Sequence, residues 1–157
     1  MTNSLPCTIR PAVVADIPVL IELRLAMFRD MGRNDADTLA QVADASADYL
    51  RLHLPDGSFR AWLAEVDGQI AATGGVLLRQ APPTYANLSG RDGYILGMYT
   101  RPAFRRRGLA NAVMHTILDF LRAEGIHRVT LRASAEGRPL YEKLGFETTT
   151  EMRLKLD

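Results

Sequence analysis

The chain has 157 residues, 47% of them apolar and 24% charged, and a formal net charge of +1. These values are typical of a soluble globular protein, and we expect one domain over residues 1–157. The small net charge argues against a nucleic-acid-binding face. The single cysteine, Cys7, excludes an internal disulfide, and no metal-ligand spacing occurs, so no metal is expected. No apolar run could span a membrane, and residues 1–10 lack a signal-peptide pattern, which predicts a cytoplasmic protein without a membrane partner.

The N-terminal third of the chain predicts one short strand followed by two helices. Residues 8–10 have the character of a strand. Asp16 is suited to begin a helix that runs to about Met31, because apolar side chains recur along one face of that stretch. A second helix is expected over residues 38–54, where a Pro-Asp-Gly-Ser turn sequence follows.

The middle of the chain predicts antiparallel strands. Residues 59–66 and 69–78 read as strands and are joined by Asp-Gly, which favours a two-residue hairpin turn. Gly74 and Gly75 lie inside the second strand and suggest a bulge. Residues 79–92 contain two prolines in a row and a Ser-Gly pair, so a long loop is expected there.

The C-terminal half predicts a strand over residues 94–100, an amphipathic helix ended by Gly125, and a strand over residues 129–134. A helical crossover between neighbouring strands requires parallel pairing. The fold class is therefore α/β, with a central mixed sheet flanked by helices. A short helix at residues 139–143 and a last strand at residues 146–156 complete the prediction.

The most informative segment, Arg-Arg-Arg-Gly-Leu-Ala, leads from the strand at residues 94–100 into the following helix. A helix N-terminus presents unpaired N–H groups and a positive dipole end, which together bind phosphate. A glycine allows the backbone to approach phosphate oxygens, and arginines add positive charge. The segment predicts a pyrophosphate site, with a solvated basic turn as the alternative. The predicted contacts are Arg105, Arg106, Arg107, Gly108, Leu109 and Ala110.

Two motifs in this context resemble the GNAT superfamily of N-acetyltransferases. Residues 105–110 match its coenzyme A signature, Arg-x-x-Gly-x-Ala, and residues 141–146 match its second hallmark, Tyr-x-x-x-Gly-Phe. The order and separation of the motifs also match, and the resemblance covers residues 8–156. It implies the GNAT acyl-CoA N-acyltransferase fold, in which the fourth and fifth strands are parallel and splay apart.

The resemblance implies an enzyme that moves the acetyl group of acetyl-CoA directly to a primary amine of a small molecule or peptide. It implies Tyr141 as the general acid for the CoA thiolate, although a core tyrosine that anchors its helix is the alternative. Pantetheine contacts are implied for Met98, Tyr99, Thr100 and Ser134. A homodimer is common in the family. A CoA-binding sensor without catalysis is the competing function.

Two features depart from the family pattern. Ser134 belongs to a loop in which many members carry a pantetheine-binding Asn. The strand at residues 94–100 contains no carboxylate or histidine, so the general base is unassigned. A water chain toward Asp92, the Tyr99 hydroxyl or backbone carbonyls could remove the proton instead.

The first two helices flank the acceptor site in the family, which implies acceptor contacts from Met27, Phe28 and Met31. Core packing explains these three residues equally well. Arg24 lies on the same apolar seam and either reaches the acceptor or extends to the rim of the helix. His53 on the second helix is either a base or a core histidine with satisfied hydrogen bonds. The acceptor itself is left open.

Overall fold

The computed structural model describes residues 6–157. Residues 1–5, part of the segment without a signal-peptide pattern, lie outside the described residues. The elements in chain order are β1 (Cys7–Pro11), α1 (Ile17–Asp30), α2 (Ala36–Asp56), β2 (Phe59–Val66), β3 (Gln69–Gln80), β4 (Arg91–Thr100), α3 (Leu109–Ala123), β5 (Val129–Leu131) and α4 (Arg138–Lys143). None of the helices in this described part is long and apolar enough to cross a membrane.

The five strands form one sheet in the order of the sequence. Strands β1 to β4 pair antiparallel, whereas β4 and β5 pair in parallel, which confirms the mixed α/β sheet. The parallel pairing begins at Gly93 and Val129 and ends at Ile95 and Leu131. Strand β4 continues to Thr100, beyond its last pair with β5 at Ile95, because β5 ends at Leu131.

Alternate side chains of β2 enter two hydrophobic clusters, one on each face of the sheet. Trp62, Ala64 and Val66 pack in the cluster that contains the buried face of α3. Ala61 and Leu63 pack in the cluster that contains α1 and α2. Successive strand residues point to opposite faces, so this alternation shows that helices cover both sides of the sheet.

The predicted last strand at residues 146–156 was wrong. That segment has no regular structure, and Met152, Leu154 and Leu156 are 94%, 81% and 81% exposed. Its apolar alternation gives it strand character, but a strand also needs a neighbouring edge to pair with. Strand β5 offers only three residues, fewer than the predicted range of 129–134.

The β3–β4 hairpin is longer than expected, so the predicted loop at residues 79–92 shrinks to residues 81–90. Arg79 and Asp92 are partners in the register, and the Arg79 guanidinium donates hydrogen bonds of 2.8 and 3.0 Å to the Asp92 carboxylate. Such cross-strand ion pairs stabilise a sheet without apolar alternation. A prediction based on apolar alternation therefore ends β3 too early and begins β4 too late.

Helix α1 begins after Asp16 as predicted, but the Asp16 side chain does not cap it. The carboxylate accepts hydrogen bonds from the Val13 N–H at 2.7 Å and from the Arg10 guanidinium at 2.8 and 2.9 Å. These bonds fasten the start of α1 to β1. Helix α2 begins two residues before its predicted start, because the Asp35 carboxylate accepts from the Thr38 N–H at 2.9 Å.

Candidate active site

Strand β4 carries a bulge just beyond the point where it parts from β5. Two residues of β4, Gly97 and Met98, lie opposite one residue of β3, Gly74. Gly97 has a φ of 68°, a left-handed conformation that glycine adopts without steric cost. The extra residue of β4 therefore lies at Gly97. A bulge takes the extra residue out of the hydrogen-bonded ladder, so its backbone groups are free for another partner.

Gly74 and Gly75 lie opposite and beside the bulge but do not form it, contrary to the sequence expectation. A Cβ atom at Gly74 would collide with the Met98 sulfur and lie 2.8 Å from Val113. A Cβ atom at Gly75 would lie 2.7 Å from the Phe59 ring. The two glycines therefore allow the bulge and the neighbouring side chains to pack closely on β3.

The loop into α3 contains two left-handed residues, Arg106 with a φ of 63° and Gly108 with a φ of 80°. A Cβ atom at Gly108 would meet no atom within 4 Å, so its left-handed conformation is what requires glycine in the free protein. No described side chain caps α3, which leaves the first N–H groups of this 15-residue helix, those of Leu109 and Ala110, open. Such an uncapped helix start, reached through a left-handed turn, can bind an anion.

The Arg105 side chain is hydrogen-bonded to the end of β4 and to the end of α1. Its Nε donates to the Thr100 carbonyl at 2.9 Å, and its Nη2 donates to the Asp30 carboxylate at 2.6 Å. The Tyr99 hydroxyl donates to the same carboxylate at 3.2 Å. These hydrogen bonds, chiefly the one from Arg105, hold the pKa of Asp30 below its usual range. The network joins the loop to the end of α1, and the sequence offers no local signal for it.

Tyr141 is 9% exposed and packs in the same hydrophobic cluster as Leu109 and Met98. Its ring meets Phe146 edge to face, with ring centres 5.9 Å apart. Burial raises the pKa of the phenol, so the hydroxyl is protonated at neutral pH. Every fully buried polar side-chain atom in the described part of the chain has a hydrogen-bond partner. The Tyr141 hydroxyl has no hydrogen-bond partner among the described residues, so it is not fully buried.

A largely apolar cavity of about 450 Å³ lies between the first two helices and the bulged strands. Its lining includes Leu20, Arg24, Val42, Tyr49, Leu50, Phe59, Leu96 and Gly97. Of the acceptor contacts considered from the sequence, Arg24 lines this cavity, whereas Met27, Phe28 and Met31 do not. A larger cavity of about 710 Å³ lies along β5 and is lined by Tyr141 and the C-terminal segment, but not by the bulge.

Comparison with known proteins bears directly on this arrangement. Residues 22–146 match the model of the acetyltransferase (GNAT) family. The chain belongs to the GNAT family. A GCN5-related N-acetyltransferase from Ralstonia eutropha JMP134 is 36% identical to this GNAT chain, with a TM-score of 0.88 over 96% of this chain and 99% of that one.

A predicted acetyltransferase from Clostridium acetobutylicum, solved with acetyl-CoA, is 33% identical, with a TM-score of 0.86 over 97% of this GNAT chain and 96% of that one. Among curated relatives, the probable N-acetyltransferase family 8 member 5 of Mus musculus is 31% identical over 146 residues. That match covers 88% of this chain and 59% of the relative. The chain thus spans between half and three fifths of the length of the first curated relatives it matches.

The remaining residues predicted to contact a cofactor lie on the end of β4 and in the segment after β5. Met98, Tyr99 and Thr100 lie on the part of β4 that has left β5. The Ser134 hydroxyl accepts a hydrogen bond of 3.0 Å from the Gly137 N–H and so shapes the turn into α4 of this GNAT fold. The hydroxyl proton of that serine is still free to donate.

The groups considered as a base are held by other partners. His53 Nδ1 lies 2.7 Å from the Ser58 hydroxyl, its ring packs 4.3 Å from that of Tyr49, and it does not line the apolar cavity. Asp92 is held by Arg79. Within residues 6–157, the lining of this GNAT cavity contains no carboxylate or imidazole. The same residues contain no group of three or more His, Cys, Asp and Glu side chains placed to hold a metal ion.

Proposed function

We propose that this GNAT protein binds acetyl-CoA and transfers its acetyl group to the primary amine of an acceptor held in the apolar cavity. The observation that carries the proposal is the position of the β4 bulge between two features. Gly97 lines the apolar cavity. Met98 packs in the cluster that contains Leu109, the first residue of α3. A thioester lying along the bulge would therefore meet an acceptor on one side while its phosphates reach α3.

Residues 105–110 would hold the pyrophosphate of acetyl-CoA. The support is the left-handed turn at Gly108 and the uncapped first turn of α3, which present backbone N–H groups to an anion. Arg105 is engaged by Asp30, so we assign the mobile charge to Arg106 and Arg107. The backbone N–H and C=O groups of residues 98–100 and the Ser134 hydroxyl would line the pantetheine arm in the splay.

The proposed chemistry is direct transfer. The neutral amine attacks the thioester carbonyl carbon, so a C–N bond forms and the C–S bond breaks. The departing sulfur takes the proton of the Tyr141 phenol, which its burial keeps protonated at neutral pH. The proton lost by the amine passes to solvent water, because the cavity lining contains no carboxylate or imidazole in the described chain. The products are the N-acetylated amine and CoA with a free thiol, and the Tyr141 phenolate regains its proton from solvent water.

The test is to measure thiol release from acetyl-CoA in the presence of a library of primary amines. We expect amine-dependent release, with the product identified by mass spectrometry as the N-acetyl amine. Reactions without an amine report hydrolysis of the thioester and serve as the control. Tight acetyl-CoA binding without thiol release for any amine would instead favour a CoA-binding sensor.

A further inference from the structure

The apolar cavity contains one charged side chain, which is Arg24. The rest of its lining in the described chain is apolar, glycine or hydroxyl-bearing. The Arg24 guanidinium carbon lies 5.1 Å from the centre of the Phe28 ring on the same helix. Arginine does not lose its proton in proteins, so this apolar space holds a permanent positive charge.

Other arginines near the site have acidic partners, but Arg24 does not. Arg105 binds Asp30 at 2.6 Å, and Arg101 binds Glu22 at 3.0 Å. Across residues 6–157, no carboxylate lies within ion-pair distance of Arg24, and its guanidinium makes no hydrogen bond. Since every fully buried polar side-chain atom in the described residues has a hydrogen-bond partner, the Arg24 nitrogens are not fully buried, and Arg24 lines the cavity.

Burial is the larger influence on Arg24 and lowers the pKa of its guanidinium. The charge therefore loses hydration on the cavity wall and gains no protein anion in return. A ligand anion placed there would supply the missing partner. The planar guanidinium matches the oxygen pairs of carboxylate and phosphate groups, which it binds through two parallel hydrogen bonds.

We propose that the acceptor is a small primary amine that also carries an anionic group and an apolar body. Arg24 binds the anion, the apolar lining holds the body, and the amine points toward the Gly97 bulge. A cavity of about 450 Å³ is the size of a typical small-molecule site. An apolar amino acid has this combination of groups. The inference rests on the proposed function, because it assigns the acceptor of that same site.

The experiment compares four acceptors that share one apolar body. Phenylalanine carries a carboxylate, its aminophosphonate analogue carries a phosphonate, and phenylalaninamide and 2-phenylethylamine carry no anion. We measure kcat/KM for each with the wild type and with Arg24→Gln. The matched control is Arg29→Gln, which removes the same charge from an exposed residue of the same helix.

We expect Arg24→Gln to lower kcat/KM for the anionic acceptors about 10- to 100-fold more than for the two neutral ones, the loss of a charged hydrogen-bonded pair. Arg29→Gln should leave all four values unchanged. The phosphonate and carboxylate arms show which anion the site prefers. Comparing variant with wild type cancels the different amine pKa values of the four compounds.

A binding measurement gives a readout independent of turnover. Calorimetry of the CoA-loaded protein should show N-acetylphenylalanine binding more tightly than N-acetyl-2-phenylethylamine, and Arg24→Gln should remove the difference. Equal losses for all acceptors, or no preference for an anion in the wild type, would overturn the inference while leaving amine acetylation intact. If no amine releases CoA, the proposed function fails, and the assignment of its acceptor fails with it.

Discussion

The loop at residues 105–110 and the apolar cavity are built by opposite means. The loop is contiguous in sequence and presents backbone N–H groups, with two left-handed residues shaping it. The cavity takes its side chains from α1, α2 and three strands, between Leu20 and Gly97. A ligand recognised through backbone requires little of the side chains except a glycine where the chain must turn. A ligand recognised through side chains requires suitable side chains at several positions that are distant in the sequence.

The loop and the cavity are nevertheless connected through shared structural elements. The Asp30 carboxylate at the end of α1 binds Arg105 of the loop, and α1 also carries Arg24 of the cavity. The bulge at Gly97 is a second junction, since it borders the cavity and continues toward the loop. Substitutions can therefore be chosen that disturb the loop, the cavity or the junction between them.

Gly108→Glu should have the largest effect, a loss of measurable acetyl-CoA binding. The left-handed backbone opposes any side chain by about 1 to 2 kcal/mol, and the new carboxylate would repel phosphate at the helix start. Calorimetric titration with acetyl-CoA measures this. Gly125→Glu is the matched control, because Gly125 has a φ of 72° at the opposite end of α3 and no atom near its Cβ position. Retained affinity in Gly108→Glu would place the phosphate site elsewhere.

Tyr141→Phe should lower kcat by about 100-fold or more while acetyl-CoA affinity stays near the wild type, since the substitution removes the proton donor and keeps the ring packed on Phe146. Steady-state kinetics and calorimetry separate the two effects. Tyr94→Phe, on the paired part of β4, is the control. Because burial raises the pKa of Tyr141, wild-type kcat should not lose this donor until the pH exceeds about 10. An unchanged kcat with chemistry rate-limiting would remove Tyr141 from the mechanism.

Gly97→Ala should disturb both regions at once. The left-handed φ of 68° makes alanine unfavourable by about 1 to 2 kcal/mol, although its Cβ would meet no atom within 4 Å. We expect a lower melting temperature and higher KM values for acetyl-CoA and for the amine. Gly68→Ala in the β2–β3 turn has a φ of 75° and the same open surroundings, so it should lower stability alone. If Gly97→Ala raised only one KM, the bulge would not be a shared boundary.

Asp30→Asn should have the smallest effect, a rise in the KM for acetyl-CoA of less than about fivefold, because the ion pair is exposed. The pKa of Asp30 is lowered in the folded protein, so the carboxylate contributes its stabilisation above the ordinary carboxyl pKa of about 3.9. That contribution is lost as the pH falls through the lowered value. The difference in melting temperature between the wild type and Asp30→Asn should therefore shrink as the pH falls below about 3.9 and disappear below the lowered pKa of Asp30. Asp44→Asn, at an exposed position of α2, should show no such difference at any pH.

Local signals explain what the sequence could predict. Helix α3 and the hairpin turn each depend on neighbouring residues, and each was predicted in its place. The pairing of Asp30 with Arg105 joins residues 75 positions apart, and no pattern in the sequence predicts it. The exposed segment after Phe146 shows the converse case, in which strand-like alternation lacks an edge to pair with.

Arg24 shows why the cavity in particular escaped prediction. Its position on an apolar seam allowed either a reach toward the acceptor or an extension to the rim. The choice depends on Phe28 beneath the guanidinium and on the absence of a carboxylate nearby in the described chain. The Phe28 contact is local to α1, but the surroundings without a carboxylate also depend on helix α2 and strand β4, which come from distant parts of the sequence.

The extra residue in β4 also reverses the parity of the strand. Before the bulge, Ile95 points to the α3 face, and strict alternation would send Tyr99 to that face as well. With Gly97 inserted, Met98 packs on the α3 side and Tyr99 on the side of α1 and α2, where its hydroxyl reaches Asp30. A strand that kept Gly97 but lost the bulge would exchange the two side chains between layers, turning the tyrosine away from α1 and the methionine toward it.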